Sequence, residues 1–314
     1  MAEDPRTSRG PDSLCLGTVK LGDPAYGFSS GPPPSGFDPI SFLDGALARG
    51  IRRFDTSPRY GAAEEILGRA IARWPARPFV SSKIDRLRPG DPGTTRAVLD
   101  SVAASLRRLN LPALDVAYLH QNELAVLSDP GVREGLEILL ERGLARAVGA
   151  SLYSREEVEF ALGSGLFGVI QVPVNVFDLG FYERFIRGNR GPVRFAARSL
   201  LLQGILRNRQ GVDHLHPQAG EIREYLEALD RLAASCGLST LALALSFVFS
   251  LPGIDHFLIG TASLANLEED LRCLTIRLPE PVFEAVAAMA SKPKAWTNPR
   301  SWTPRPAGSP GNSP

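Results

Sequence analysis

The sequence predicts a (β/α)8 barrel, on three observations. Short apolar runs alternate with helical stretches along the chain, the runs number eight, and several end on polar or small residues. Parallel strands need long return connections with right-handed crossovers, and a helix after almost every run supplies them. The length of 314 residues is compatible with one domain and its tails, since such barrels commonly take about 250.

The elements follow in order. Residues 1–12, polar with Pro5 and Pro11, and 294–314, dense in Pro, Gly and Ser, are expected to be tails around a single domain at 13–293. Strand Leu14–Val19 precedes helix Ile40–Arg49. Strand Arg52–Thr56 is ended by Pro58, which has no N–H to donate, and Gly61 permits a sharp turn before helix Ala63–Trp74. Next come Phe79–Ile84 with helix Thr95–Leu109, Leu114–His120 with Gly131–Arg142, and Ala145–Ser151 with Arg155–Leu162. Val169–Val174 with Phe181–Gly188 and strand Val193–Ser199 lead to helices Ala219–Cys236 and Thr240–Phe249. The second of these is capped by Ser239, and being apolar on most faces it should be buried. Strand His256–Thr261 and helices Leu264–Cys273 and Glu280–Met289 complete the pattern.

Composition excludes several function classes. Lys+Arg 35 against Asp+Glu 34 gives a charge of +1 without long single-sign blocks, which argues against nucleic acid and anionic membranes and suits a small neutral or anionic ligand. Cys15, Cys236 and Cys273 are scattered, so neither a disulfide framework nor a zinc site is expected. The N-terminus lacks a signal-peptide core, and the longest apolar run, Leu238–Leu251, is too short to span a bilayer. A cytoplasmic protein is expected, as a monomer or small homo-oligomer.

In this fold chemistry gathers where strands end. Those ends carry Asp55, Lys83, His120, Ser151, Gln171, Arg198, Ser199 and Gly260, with Tyr60 on the loop after Asp55. On that loop alone, Asp55 could equally cap the chain and Tyr60 equally pack. Asp55, Tyr60, Lys83 and His120 together are four complementary groups on successive strands. A free phenol has a pKa of about 10, and a neighbouring ammonium lowers it. Lys83, held by Asp55, should therefore tune Tyr60 as a general acid for an oxygen gaining negative charge, with His120 bonding the same oxygen. A hydride donor is then required.

Other motifs carry less. Gly163–Gly168 fits GxGxxG but follows a helix and precedes a strand, the reverse of a dinucleotide fingerprint. No phosphate-loop, zincin or nucleophile-elbow motif is present. His214 and His216 lack acidic partners, and a loop role is expected rather than metal binding.

The pieces LGTVKLG, GIRRFDTSPRYGAAEEILGRAI, SSKI, LDVAYLH, AVGASLYS, VIQVPVN, ARSLLLQGIL and IGTASLANLEEDL, in this order, resemble the aldo-keto reductase family from Leu14 to about Met289. SLYSREEVEFAL, IQVPVNVFD and ARSLLLQG look closest to the branch found in bacterial sugar and surface-polysaccharide gene sets. The resemblance implies a barrel that binds NADPH, with NADH open, and reduces an aldehyde or ketone, a sugar-derived carbonyl among the options. It implies a tetrad of Tyr60 as proton donor, Lys83 and Asp55 tuning it, and His120 orienting the carbonyl. It also implies cofactor contacts from Thr18, Val19 and Asp55, and carboxamide contacts from Ser151 and Gln171. Arg198, Ser199, Leu200 and Gly204 would wrap the pyrophosphate. Gly260, Thr261 and Ser263 would meet the adenosine phosphate, with Glu269 and Asp270 near the adenosine.

Departures bear on this. Leu152 stands where the family has Asn, so one carboxamide contact is missing or supplied elsewhere; many NADPH-selective members have Arg where this chain has Asn266 and Asn where it has Asp270, and losing the cation weakens 2′-phosphate recognition. A cofactor-binding, redox-sensing subunit with little turnover is the alternative to an enzyme. Specificity is expected on Asp23–Phe37, Gln121–Pro130, Asn208–Gln218 and the tail bearing Trp296 and Trp302.

Overall fold

A computed structural model describes residues 9–24, 26, 36–209, 212, 218–291 and 294–298. Strands β1 (Leu14–Gly17), β2 (Arg53–Asp55), β3 (Phe79–Ile84), β4 (Val116–Leu119), β5 (Val148–Ser151), β6 (Val169–Pro173), β7 (Arg194–Arg198) and β8 (Ile254–Gly260) pair in parallel in sequence order. β8 returns to β1, aligning Leu14 with Phe257 and Gly17 with Gly260, so no sheet edge is left. The expected fold class is the observed one.

The strands are short and buried from both sides, as parallel sheets require. Phe54, Val80, Tyr118, Ile170, Phe195 and Phe257 are all fully enclosed. Glycine makes room where side chains collide: a Cβ at Gly149 would lie 2.5 Å from the Tyr118 ring. Helix Pro39–Ala48 starts where the Asp38 carboxylate accepts from Ile40 and Ser41 N–H at 3.2 and 3.0 Å. Helix Arg155–Gly163 starts with a capping box of Ser154 and Glu157.

The strands' N-terminal ends are fastened separately. Asp115 accepts from Arg77 at 3.1 Å, Arg146 at 3.0 Å and the Val80 N–H at 2.7 Å. Arg9 donates to the carbonyls of Phe249, Leu251 and Ile254 at 2.7, 2.8 and 3.0 Å, with its guanidinium over the Phe257 ring.

Several boundaries differ from expectation. The first strand stops at Gly17, and Val19–Gly22 forms one helical turn. The stretch Phe181–Gly188 holds a single π-helical turn, Tyr182–Ile186. A short helix, Leu124–Leu127, appears inside the loop after β4. The domain edges drawn at residues 12 and 293 are also passed at both ends. Arg9 is anchored as above, and Trp296 is fully buried against Phe177 and Tyr225, with ring centroids 5.2 and 5.8 Å away. Lys294 donates to the Phe177 carbonyl at 2.8 Å, and Thr297 to Asp178 at 2.7 Å. His214, His216, Trp302 and the rest of residues 1–8 and 299–314 lie outside the described residues. No single described helix is long and apolar enough to cross a membrane.

Candidate active site

Asp55 closes β2, and its two carboxylate oxygens are divided among neighbours. Lys83 on β3 donates to one, while Ser81 Oγ at 2.8 Å and Gln171 Nε2 at 3.0 Å donate to the other. Ser81 and Lys83 are two residues apart and so share a face of the strand. Lys83 also donates to the Thr56 carbonyl at 2.9 Å. Asp55 and Lys83 are 2% and 5% exposed, so this is a buried ion pair whose desolvation is offset by added hydrogen bonds.

The ammonium lies 4.9 Å from the centroid of the Tyr60 ring. Burial works to depress Lys83, but the Asp55 carboxylate and the Tyr60 phenol outweigh it and hold Lys83 above its ordinary pKa. Lys83 is thus a fixed cation at physiological pH. For Tyr60 the balance differs from the sequence expectation. Burial raises the phenol, Lys83 opposes this through charge and a hydrogen bond, Asp55 adds to the rise, and the net shift is upward. Lys83 moderates the phenol without bringing it below its ordinary value. Tyr60 is consequently protonated at neutrality, the form a proton donor needs.

The His120 ring stands edge-on to Tyr60, with centroids 6.3 Å apart at 87°. Its Nδ1 is 3.4 Å from Ser57 Oγ, and its backbone N–H donates to the Ile84 carbonyl at 3.0 Å. The loop carrying Tyr60 is held by a glycine contact. A Cβ at Gly22 would lie 1.7 Å from the Tyr60 carbonyl oxygen, and one at Gly61, which has φ +52°, would lie 2.5 Å from the Gly22 carbonyl oxygen. Backbones approach there as only glycines allow. Thr18 fixes the same corner, donating to the Asp55 carbonyl from its N–H at 2.9 Å and its hydroxyl at 3.2 Å; Val19 follows it.

The remaining sequence candidates lie along β5 to β8. Ser151 ends β5 in register with Gln171. Gln171, expected to hold a carboxamide, spends its Nε2 on Asp55, while its Oε1 is buried without a hydrogen-bond partner. That orphaned acceptor fits the N–H of a nicotinamide carboxamide. Arg198 ends β7, and Leu200 is buried beside it. Ser199, Leu202 and Gln203 have φ of +60°, +48° and +53°, and Gly204 has +99°. Such left-handed backbone at non-glycine positions costs energy and gathers where a ligand is gripped.

Gly260 ends β8. Thr261 accepts from the Ser263 N–H at 3.1 Å, and Ser263 caps helix Leu264–Cys273 by accepting from Asn266 N–H at 3.3 Å. The first-turn N–H groups of that helix suit a phosphate. Glu269 and Asp270 are engaged by Arg207, which donates to Glu269 at 2.7 Å and to Asp270. Burial pushes the Asp270 carboxyl up to about 7 even though Arg207 opposes it. These two acids therefore face an arginine within the protein.

Ser81 and Gly22 were not picked out from the sequence. Ser81 had a signal, because a residue two before Lys83 on a strand must share its face. Gly22 depends on a contact between distant loops.

A closed parallel barrel with a buried acid–lysine pair beside a half-buried phenol at one mouth is the frame of an oxidoreductase. The Aldo/keto reductase family model matches residues 13–291, and the chain belongs to that family. It is 27% identical to the L-galactose dehydrogenase of Arabidopsis thaliana over 280 residues, 83% of this chain and 87% of that protein. Among solved structures it is similar to the glycerol dehydrogenase of Gluconobacter oxydans, with 23% identity, TM-score 0.71 and coverage of 92% and 95%. It is also similar to an aldo/keto reductase from Klebsiella pneumoniae in complex with NADP and acetate, with 21% identity, TM-score 0.69 and coverage of 90% and 92%.

Proposed function

We propose that this enzyme reduces an aldehyde or ketone of a sugar or sugar-derived compound at the expense of NADPH, with Tyr60 as proton donor. The observation that carries the reading is the Asp55–Lys83 pair beneath the Tyr60 ring, with both Asp55 oxygens hydrogen-bonded. A bound nicotinamide supplies the hydride to the carbonyl carbon. Tyr60 Oη gives its proton to the carbonyl oxygen, and His120 hydrogen-bonds that oxygen from the other side. Lys83, already charged and fixed, stabilises the phenolate that remains, while Asp55 keeps the ammonium aimed.

Gln171 Oε1 and Ser151 would hold the carboxamide. Thr18, Val19, Ser199, Leu200 and Gly204 would line the cofactor, and Gly260, Thr261 and Ser263 would take the adenosine phosphate. Similarity to a plant sugar dehydrogenase supports the sugar-related substrate. NADPH is the assignment, although Asn266 provides no cation for a 2′-phosphate.

The test is cofactor oxidation with a panel of aldoses, ketoses and simple aldehydes, using wild type and Tyr60→Phe with both NADPH and NADH. Tyr60→Phe is expected to lose about 10²- to 10⁴-fold in kcat while still quenching on cofactor binding. Full activity in that variant would remove Tyr60 from the proton-donor role.

A further inference from the structure

The turn that carries Tyr60 is fastened to the end of β3 by an ion pair outside the tetrad. Arg59 Nε meets the Asp85 carboxylate, and among the described residues Arg59 is that carboxylate's only partner. The two side chains are 39% and 3% exposed. An exposed arginine on an exposed acid would contribute little. A buried carboxylate with one countercharge differs, because losing that charge strands it unpaired away from water.

Both partners are close neighbours of the reacting groups in the chain. Asp85 lies two positions after Lys83, just past the end of β3. Arg59 directly precedes Tyr60 in a tight turn. Ser57 opens that turn: its carbonyl accepts from the Tyr60 N–H at 3.0 Å and its hydroxyl oxygen from the Arg59 N–H at 3.2 Å, with Pro58 in the position such turns favour. A shift of Arg59 is therefore passed to Tyr60. The segment after Asp85 is held in turn on its far side. Leu87 N–H donates to Gln121 Oε1 at 2.6 Å, Gln121 Nε2 donates to the Leu87 carbonyl at 3.1 Å, and Gln121 is the neighbour of His120. Arg86, between these two anchors, has φ +61°, a left-handed conformation that a non-glycine residue keeps only where its surroundings impose it.

We propose that the Arg59–Asp85 ion pair is a latch that sets the Tyr60 phenol against Lys83, both members being positioning residues. The proposal rests on the reading of Tyr60 as proton donor. Asp55 and the Thr56 carbonyl fix Lys83, and the latch fixes the turn that bears its partner, so the 4.9 Å between ammonium and ring is set from both sides.

The experiment measures reduction of para-nitrobenzaldehyde at saturating NADPH in wild type, Arg59→Met, Asp85→Ala, the double variant and Arg59→Lys, with thermal unfolding alongside. Each single loss is expected to lower kcat by roughly 10- to 100-fold, the cost of displacing a reacting group by up to about 1 Å, while KM and NADPH affinity stay within about 2-fold. The double variant should lose no more than the worse single one, since one interaction is removed in every case. Arg59→Lys should recover part of the loss. Asp85→Ala removes the acid itself, so it remains decisive if Arg59→Met, with its stranded carboxylate, does not fold. Lower stability with kcat intact overturns the proposal, and so do losses that multiply in the double variant. A KM that rises in Arg59→Met alone also overturns it, because that places Arg59 on the substrate.

A second readout needs no turnover. In protein labelled with meta-fluorotyrosine, the fluorine resonance assigned to Tyr60 by Tyr60→Phe should move in both Arg59→Met and Asp85→Ala, with those of Tyr182 and Tyr225 as unmoved controls. If Tyr60→Phe keeps full activity, the proton-donor reading fails and this resonance decides the latch: movement supports it, and an unmoved Tyr60 overturns it.

Discussion

At the ends of β2 and β3 the Asp55 carboxylate has three side-chain donors, and the lysine it holds has a carbonyl besides. Around β6 to β8 less is matched: Gln171 Oε1, Arg198 Nε and Asp270 Oδ2 are buried without a hydrogen-bond partner, against Thr56 Oγ1 beside the Asp55–Lys83 pair. The backbone repeats the contrast. Ser199, Leu202 and Gln203 hold left-handed conformations in the loop after β7, against the single Arg86 after β3 and none from Asp55 to Tyr60. In the first arc the Asp55–Lys83 pair is fully hydrogen-bonded before anything binds, as preorganised catalysis requires. The second is complementary to something outside the chain, and its strain and unmet hydrogen bonds are what a ligand would relieve.

This contrast can be broken at its strongest point by Lys83→Met, which leaves the buried Asp55 without its countercharge. The reduction rate is expected to fall about 10²- to 10³-fold. The pH profile should respond as well. The active form of Tyr60 is the protonated one, and burial holds its pKa above the ordinary value, so the wild-type rate should be flat through neutrality and fall only at alkaline pH. Lys83 is one of the groups lowering that pKa, so removing it should shift the alkaline fall to higher pH. A shift downward in rate measurements across pH would contradict the geometry.

Gly22→Ala attacks the same arc without touching a polar group. The added Cβ must push the Tyr60 backbone away, and a displacement near 1 Å costs about 100-fold in kcat. Cofactor affinity by fluorescence should move far less, and equal losses in both would assign Gly22 to the cofactor. In the second arc, Asn266→Arg adds a cation near the capped helix start, and calorimetry should show NADPH gaining roughly 10-fold over NADH. The smallest effect is expected from Ser199→Gly, which relieves a left-handed residue. Thermal unfolding should rise by the equivalent of about 1 kcal/mol, with cofactor affinity unchanged or weaker.

Much of the first arc was legible from sequence because strand periodicity is rigid: an acid, a lysine and a histidine at successive strand ends must share a mouth. Tyr60 was legible as a residue but not as a titrating group, since the net direction of its shift depends on how deeply its ring is buried. The second arc was less readable. Glu269 and Asp270 looked available for adenosine, and only the fold of the loop after β7 brings Arg207 onto them. Trp296 looked like part of a loose tail because its partners, Phe177 and Tyr225, are 119 and 71 residues away in the chain, and no local pattern encodes such a contact.

The two terminal anchors give the molecule a practical polarity. Arg9 is pinned at the start of β8, on the side away from the tetrad, whereas Lys294 and Thr297 are pinned to Phe177 and Asp178 just beyond the end of β6, on the tetrad's own side. Immobilisation on a bead or electrode through the segment ahead of Arg9 would therefore leave the mouth facing solution. Attachment through the segment after Thr297 would hold the support at the rim that carries Tyr60 and His120.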